Sequence, residues 1–472
     1  MSFLSPASRR SPKPSHVLSA ALGGLVVTTF PISVFSLALP QLEHEFQASL
    51  DAVTWVITAP LLGFAIALPA LGRISDLFGH RRIFMAGTVA TCLFAFLSAA
   101  SPTLSSLIVF RTLGQVAGAA ATPASLAMIA AVYPPDRRLR IMGLWSLAAA
   151  GSPVIGIVAG GPLIQAFGWR SIFLIQGFLT LPAIGYAWLV LPKGTARNRA
   201  PIDIRGLVVL AVALTAGMIG LELLPQKGKL AWVIISAVIC VAGFAVFFRV
   251  ERRAASPVLP LEMLRIRNFC APALAQAFST FAYMGGYILT PLLLETQFHM
   301  SVSRASLFLL ARPIAFCIGA PVTSRIGALT PRRAAIGGTI LMATALPVFA
   351  LSAGMLWLSM VVAGNILAGF GNGMSQPAIT TSVVNAVTPD RHATASGILQ
   401  MMGQVGAVAG ITVAGAIVAS GSGAGHFTTA FLVATIPACL GVVAAWFILS
   451  APGHETGPAS QPSALETAAE QA

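Results

Sequence analysis

Long apolar runs alternate with short polar segments along almost the whole chain. A helix of about 20 apolar residues spans the hydrocarbon core of a bilayer, whereas a barrel strand needs only about ten residues. The pattern therefore predicts an all-α membrane protein with about 14 transmembrane helices. The predicted segments cover residues 18–39, 53–71, 83–100, 105–132, 141–164, 171–191, 206–224, 231–248, 269–292, 304–324, 335–353, 357–384, 397–419 and 428–450.

Composition and charge support this assignment and orient the chain. Only 9% of the 472 residues are charged, and the mean hydropathy is +0.85. Most of the 28 basic residues fall in the N-terminal tail and in alternate loops, so the positive-inside rule places both termini in the cytoplasm. We expect a bacterial inner-membrane location. Because the net charge of +14 is spread over loops instead of one face, the sequence does not indicate nucleic-acid binding.

The chain also repeats itself at a shift of 252–254 residues. Arg73 and Arg81 match Arg325 and Arg333 at a shift of 252, and loop residues near Pro135 match those near Pro389 at 254. A fixed shift indicates duplication, which suits a carrier whose halves rock about a central site. The predicted regions are a cytoplasmic N-tail (1–17), an N-terminal six-helix bundle (18–192), a linker with a two-helix insertion (193–268), a C-terminal six-helix bundle (269–450) and a disordered cytoplasmic tail (451–472).

The loop after the second segment carries a recognisable motif. A glycine is followed four residues later by an aspartate, then by a second glycine and basic residues, and this arrangement resembles the signature loop of the major facilitator superfamily. The resemblance implies a conformational latch between the two halves; a topology-setting loop with a solvated Asp76 is the alternative. We refer to residues 72–82 as the latch loop, with candidate residues Gly72, Arg73, Asp76, Gly79, Arg81 and Arg82. The second half has Ala328 at the position that corresponds to Asp76.

Two further motifs carry the resemblance. Arg111 and Gln115 lie in the fourth segment, where the family has a buried arginine, although Gly114 and Gln115 stand in reversed order. A buried charge at membrane depth is costly and indicates a pathway or an anchor. The fifth segment resembles the glycine- and proline-rich motif of antiporters, with close packing as the plain alternative. Its motif residues are Gly151, Pro153, Gly156, Gly160 and Gly161.

The number of segments and the linker resemble the fourteen-helix drug:proton antiporter branch, which implies export of drug-like or small metabolite compounds by proton antiport. Pro31 occupies the position where that branch has a helix 1 aspartate, so the coupling acid is open. Candidates are Glu295, Glu222 and Glu43. We expect the substrate and proton pathway to include Arg111, Gln115, Arg312, Gln276, Asn365 and Gln404.

The same residues leave one other transport function open and do not indicate an enzyme. Two buried arginines without a central carboxylate leave open a uniporter or importer of a small anionic or neutral metabolite. We find no catalytic cluster and no nucleotide-binding loop, so we expect neither an enzyme nor a cofactor or metal site. The expected partners are a small-molecule substrate, protons and the lipid bilayer. The oligomeric state stays open, with a monomer compatible with the sequence.

Overall fold

A computed structural model describes residues 13–32, 38–192, 203–223, 228–254, 257, 259, 261–325, 330–421 and 423–449. The regular elements in these ranges are helical. The N-terminal half contains eight α-helices: α1 (Pro14–Thr29), α2 (Leu39–Phe46), α3 (Leu50–Phe78), α4 (His80–Ala99), α5 (Leu104–Gly118), α6 (Ala121–Val132), α7 (Pro135–Phe167) and α8 (Arg170–Val190). The predicted linker residues 193–202 and the predicted tail at 451–472 lie outside the described residues.

The insertion and the C-terminal half follow in chain order. The insertion forms α9 (Ile204–Leu223) and α10 (Leu230–Glu251), which pack against each other. The second half contains α11 (Arg267–Thr296), α12 (Val302–Leu309), α13 (Ala311–Arg325), α14 (Pro331–Met355), α15 (Leu358–Asn385), α16 (His392–Ala419) and α17 (Ala424–Trp446).

Prolines explain why some predicted segments are broken. Proline lacks the N–H that would bond the carbonyl four residues earlier. Pro123 follows the break between α5 and α6 at Ala119, and Pro313 follows the break between α12 and α13 near Leu309. The first segment, predicted as one helix to residue 39, ends as α1 at Thr29 and continues into a 3₁₀ turn that contains Pro31.

Glycines hold the C-terminal half closely packed. A methyl group at Gly406 or Gly410 of α16 would come within 3 Å of the carbonyl groups of Ala277 and Phe281 in α11. Gly369 of α15 meets the carbonyl of Arg312 in α13 in the same way. Small residues allow helix backbones to approach closely where lipid gives no hydrophobic drive for association.

The insertion contacts both halves. Leu210 and Leu214 of α9 join the same buried cluster as Leu68 of α3 and Leu399 of α16. Helix α9 therefore packs at the seam between α3 and α16, where the halves meet. The halves also meet where α7 contacts α13 and α15.

The hydropathy of the described helices agrees with the predicted class. Ten helical segments are long and apolar enough to cross a bilayer. The other four predicted segments coincide with α1, α7, α9 and α15. The all-α membrane fold is confirmed, and the count of fourteen crossings stays a prediction.

Candidate functional site

Residues 72–82, predicted as a loop, are mostly helical: residues 72–78 end α3, residues 80–82 begin α4, and Gly79 alone lies between the helices. The latch loop, as we continue to call these residues, joins the two halves through Asp76 in the last turn of α3. The Asp76 carboxylate accepts hydrogen bonds from the backbone N–H groups of Ala393 (3.0 Å) and Thr394 (2.7 Å) and from the Thr394 hydroxyl (2.5 Å). These N–H groups lie in the first turn of α16, where helix donors have no intrahelical acceptor and the helix dipole is positive. Asp76, from the other half, therefore performs the capping role for α16.

The surrounding glycines make this contact possible. A side chain at Gly72 would collide with the Ala393 backbone, and one at Gly397 would collide with the Leu68 carbonyl. Gly79, between α3 and α4, has a φ of 98°, a conformation that a residue with a side chain rarely adopts. Gly72 and Gly397 thus allow the close approach of α3 to α16, and Gly79 allows the turn between α3 and α4.

The basic residues of the latch loop point to different places. Arg81 donates a hydrogen bond to the Trp188 carbonyl (2.6 Å) inside the N-terminal half and stacks on the Trp188 ring. Arg82 is exposed. Arg73 interacts electrostatically with Asp76 and Glu251, which links the loop to the last residue of α10. The prediction that Ala328 replaces the acid in the second half lies outside the described residues.

A second contact joins the halves at the same end. Arg138 near the start of α7 donates to the Asn385 side chain at the end of α15 (2.6 Å) and to the carbonyls of Tyr133 and Ala130. Gly143 of α7 lies against the Ala320 carbonyl of α13. The structure is therefore closed between its halves at the end that carries the basic loops.

Arg111 lies inside the N-terminal half. Its side chain is buried on α5 and borders a cavity of about 20 Å³, enough for one water molecule. Gln115 and Ser98 line the same cavity. Across it, Pro31 removes the N–H that would bond the Val27 carbonyl, and Gln176 donates to that carbonyl instead (3.2 Å).

Arg312 lies inside the C-terminal half with a full set of neutral partners. Its Nε donates to the Asn365 Oδ1 (2.9 Å), and its terminal nitrogens donate to the Tyr283 carbonyl (3.2 Å) and the Thr290 hydroxyl (3.4 Å). The guanidinium also stacks on the rings of Tyr283, Tyr287 and Phe349, 5.2 to 5.5 Å from their centroids. Only 1% of the residue is exposed, so these contacts compensate a deep burial.

The other predicted pathway residues divide between the halves. Gln276 of α11 is buried, donates to Thr280 and lies against Gly403 of α16, and Gln404 is half-buried beside it on α16. Arg111 and Gln115 thus belong to one bundle, whereas Arg312, Asn365, Gln276 and Gln404 belong to the other. The pathway role of these residues stays a prediction.

The glycine-rich motif lies on α7, which contacts α1 as well as α13 and α15. Ser152 shares a hydrogen bond with Thr29 of α1 (2.5 Å), and Gly156 and Gly160 are buried. Gly151 has open space around it. The side-chain surroundings of Pro153 and Gly161 lie outside the described residues. The motif helix therefore connects the broken end of α1 with the opposite half.

The candidate coupling acids lie towards helix ends. Glu43 is half-buried in α2, and Glu295 is half-buried one residue before the end of α11. Glu222 lies in the last turn of α9, and its side chain is outside the described residues. Sequence reasoning did not identify Glu251 as buried; it accepts a hydrogen bond from the Leu259 N–H (3.1 Å) in the linker. Nor did it identify Thr394 or Thr290 as partners of Asp76 and Arg312.

At the end opposite the basic loops, Glu45 of α2 contacts α8 and the residue before it. It accepts from the Trp169 indole (2.7 Å) and from Arg170 (2.5 Å). Burial alone would raise the pKa of Glu45, but the hydrogen bonds from Trp169 and Arg170 and the Arg170 charge hold it below its ordinary value. This ion pair fixes α2 to the N-terminal half.

Comparison with known proteins decides the family. The family model described as Major Facilitator Superfamily matches residues 21–279 and 272–470, which covers most of the chain and both halves. The chain belongs to the major facilitator superfamily. It is therefore a multi-pass membrane transporter, and the expected drug-exporter-like relationship is confirmed by the relatives described next.

Two curated relatives come from Streptomyces species. The chain is 29% identical to the methylenomycin A resistance protein of Streptomyces coelicolor, covering 95% of each chain. It is also 29% identical to the tetracenomycin C resistance and export protein of Streptomyces glaucescens, covering 88% of this chain and 78% of that one. Among solved structures, the human organic anion transporter MFSD10 matches with a TM-score of 0.70 and 16% identity, covering 92% of this chain and all of the other, which shows the shared fold.

Proposed function

We propose that this transporter exports drug-like or small metabolite compounds by alternating access, driven by proton antiport. The observation that carries the proposal is the similarity, over 95% of both chains, to a protein named for methylenomycin A resistance. A second relative is named for resistance and export. The distribution of basic loops supports a bacterial inner-membrane location with both termini in the cytoplasm.

The contacts between the halves fit such a cycle. The halves are joined at the basic end by hydrogen bonds that Asp76 accepts and a hydrogen bond that Arg138 donates, and these bonds can break and re-form without unfolding either bundle. Opening this end requires the first turn of α16 to give up the Asp76 carboxylate. Water or a rearranged loop would then satisfy those donors. The latch therefore favours the state that is closed towards the cytoplasm.

Proton coupling needs a carboxylate that both faces can reach in turn. Pro31 stands at the usual position, so the coupling acid is sought among Glu43, Glu222 and Glu295. Each lies near a helix end, where water can reach it from one side of the bilayer, and the proposed rocking of the halves would expose it to the other side. We propose Glu295 first, because α11 also carries the Tyr283 carbonyl and the Thr290 hydroxyl that accept hydrogen bonds from Arg312.

A uniporter or importer of a small anionic or neutral metabolite is the second candidate. Two arginines buried at depth favour it, since a buried cation attracts an anion. The neutral partners that hold Arg312 within its own half favour an anchoring role for that residue instead. Export therefore remains the preferred proposal.

Everted membrane vesicles test the direction and the energy source together. Vesicles from a pump-deficient host that expresses the transporter should accumulate a fluorescent cargo when respiration acidifies their lumen, and a protonophore should abolish the accumulation. The Asp76→Asn variant should slow uptake several-fold because it weakens the cap on α16. The matched control is Asp136→Asn, which removes an exposed acid in the first turn of α7. Uptake that persists with the protonophore would contradict proton antiport.

A further inference from the structure

One face of α11 carries a continuous polar stripe. Gln276, Thr280, Tyr283 and Tyr287 follow one another at intervals of four, three and four residues, which places them on the same side of a helix. Gln276 donates to Thr280 along this stripe, and Asn372 of α15 hydrogen-bonds Tyr283. The exposed apolar residues Leu274, Ile288 and Leu292 lie on another face. The stripe is therefore distinct from the apolar, lipid-type face of α11.

Tyr287 is the exposed end of this stripe. Its side chain is 45% exposed, although both its neighbour Gly286 and the underlying Arg312 are buried. The tyrosine end of the stripe meets Arg312 of α13 and Asn372 of α15, and these two helices pack against α7 of the other half. Tyr287 is therefore the most exposed member of the stripe and the one that a cargo molecule reaches most readily.

Arg312 lies behind these tyrosine rings. The guanidinium carbon is 5.2 Å from the Tyr283 centroid and 5.5 Å from the Tyr287 centroid. Its three hydrogen-bond acceptors are an amide, a carbonyl and a hydroxyl, so none of them cancels its charge. The exposed aromatic surface is consequently backed by a fixed positive charge in a medium of low dielectric constant.

We propose that Arg312, through Tyr287 and Tyr283, selects planar aromatic cargo that is neutral or anionic and disfavours cationic cargo. This inference rests on the proposed export function and specifies its substrate class. A neutral or anionic ring can stack on Tyr287, because aromatic pairs attract through offset or edge contacts. A cation on the same ring meets the charge of Arg312 on the other side and loses the attraction that an aromatic face normally offers it.

The size of the effect follows from the distances. A cation on the outer face of Tyr287 would lie about 9 Å from the guanidinium, since each cation lies within about 6 Å of the ring centroid. At an effective dielectric constant of about 20, repulsion over that distance lowers affinity on the order of tenfold. Replacing Asn365 by aspartate would neutralise the Arg312 charge with a carboxylate while keeping an acceptor oxygen at the same position.

Binding of three probes that share one ring system tests the proposal. Purified transporter in nanodiscs is titrated with anthracenemethanol, anthracenecarboxylate and protonated (aminomethyl)anthracene, with fluorescence as the readout. The wild type should bind the neutral probe about tenfold, and the anionic probe about a hundredfold, more tightly than the cation. Asn365→Asp, which places a carboxylate beside Arg312, should bring the three affinities together. The matched control Gln297→Glu adds the same charge at the end of α11 and should keep the preference.

The outcomes separate this inference from the export proposal. Equal or tighter cation binding by the wild type overturns the inference without any variant. An unchanged preference in Asn365→Asp that elutes as a folded monodisperse protein overturns it as well. Tyr287→Ala should weaken binding of the neutral and anionic probes by roughly two- to tenfold because the stacking surface is lost. Nanodiscs carry no gradient, so failure of vesicle uptake with the binding preference intact would count against export alone.

Discussion

Arg111 in the N-terminal half and Arg312 in the C-terminal half stand at different positions of the internal repeat. Asn365 follows Arg111 by 254 residues, the shift that relates these segments, and Pro60 precedes Arg312 by 252. The position of the buried cation in one half is thus the position of a hydrogen-bond acceptor in the other. The two halves therefore carry their buried arginines on helices that do not correspond in the repeat, α5 in one half and α13 in the other.

The surroundings of the two arginines differ accordingly. Arg312 is enclosed by three aromatic rings and three neutral acceptors of its own half. Arg111 borders a small cavity that Gln115 and Ser98 also line. A buried arginine can therefore be part of the packing in one bundle and part of a polar, water-sized site in its duplicate.

Truncation of each arginine to alanine should give the largest difference between the two halves in the free energy of unfolding. Arg312→Ala should lower the free energy of unfolding by about 3 kcal/mol, because it leaves a cavity and unsatisfied buried acceptors. Arg111→Ala should cost less, since the neighbouring cavity can take up water in place of the side chain. Thermal unfolding of the detergent-purified variants measures the difference. Arg304→Ala, which removes an exposed arginine from α12, is the control, and an equal loss for Arg111→Ala would contradict the comparison.

The latch loop offers the second test of the comparison between the halves, because Asp76 of the N-terminal half corresponds to Ala328 in the C-terminal half. Asp76→Asn keeps the shape of the side chain but removes the charge at the start of α16, which should cost about 1 kcal/mol of the closed state. Spin labels at Arg82 and Arg333, on a background without the five native cysteines, report the opening at the basic end. The distance distribution should broaden towards longer values in Asp76→Asn. An unchanged distribution would show that Asp76 does not hold this end closed.

The smallest expected effect concerns Glu45, which the repeat aligns with Gln297 at a shift of 252. Its folded pKa is lowered, so its contribution is present above the ordinary pKa of 4.5 and is lost as pH falls through the folded value. Glu45→Gln should cost about 0.5 kcal/mol at pH 7, as expected for a partly exposed pair. Melting curves of wild type and Glu45→Gln should converge on acidification. A difference that persists in acid would exclude the ion pair as its source.

The sequence predicted the bundle well because its strongest signals are local. Apolar length and loop charge depend on neighbouring residues, and the repeat preserved Pro135 and Pro389 at helix starts in both halves. The breaks after Gly118 and Leu309 were missed, although Pro123 and Pro313 stand four residues beyond the carbonyls that they leave free. That signal was present in the sequence.

The hydrogen-bond partners of the site residues could not be predicted from the sequence. Asp76 meets backbone N–H groups more than 300 residues away, and every helix start offers such donors, so no residue type marks the correct one. Arg312 and Asn365 were both predicted to face the pathway, and their mutual hydrogen bond depends on how α13 and α15 are rotated. Rotation of one helix against another is set by packing of the whole bundle.

The seam formed by α9 against α3 and α16 has a mechanical consequence. In the proposed alternating-access cycle, rocking of the halves would shear at least one side of this seam, where Leu210 and Leu214 meet Leu68 and Leu399. Apolar contacts have no preferred direction and can slide with little change in free energy as long as they stay covered. Hydrogen bonds at a helix start have strict geometry and must break outright. In that cycle the insertion would let the halves slide against α9 at little cost in free energy, and the barrier to each turnover would come mainly from the few polar contacts at the basic end.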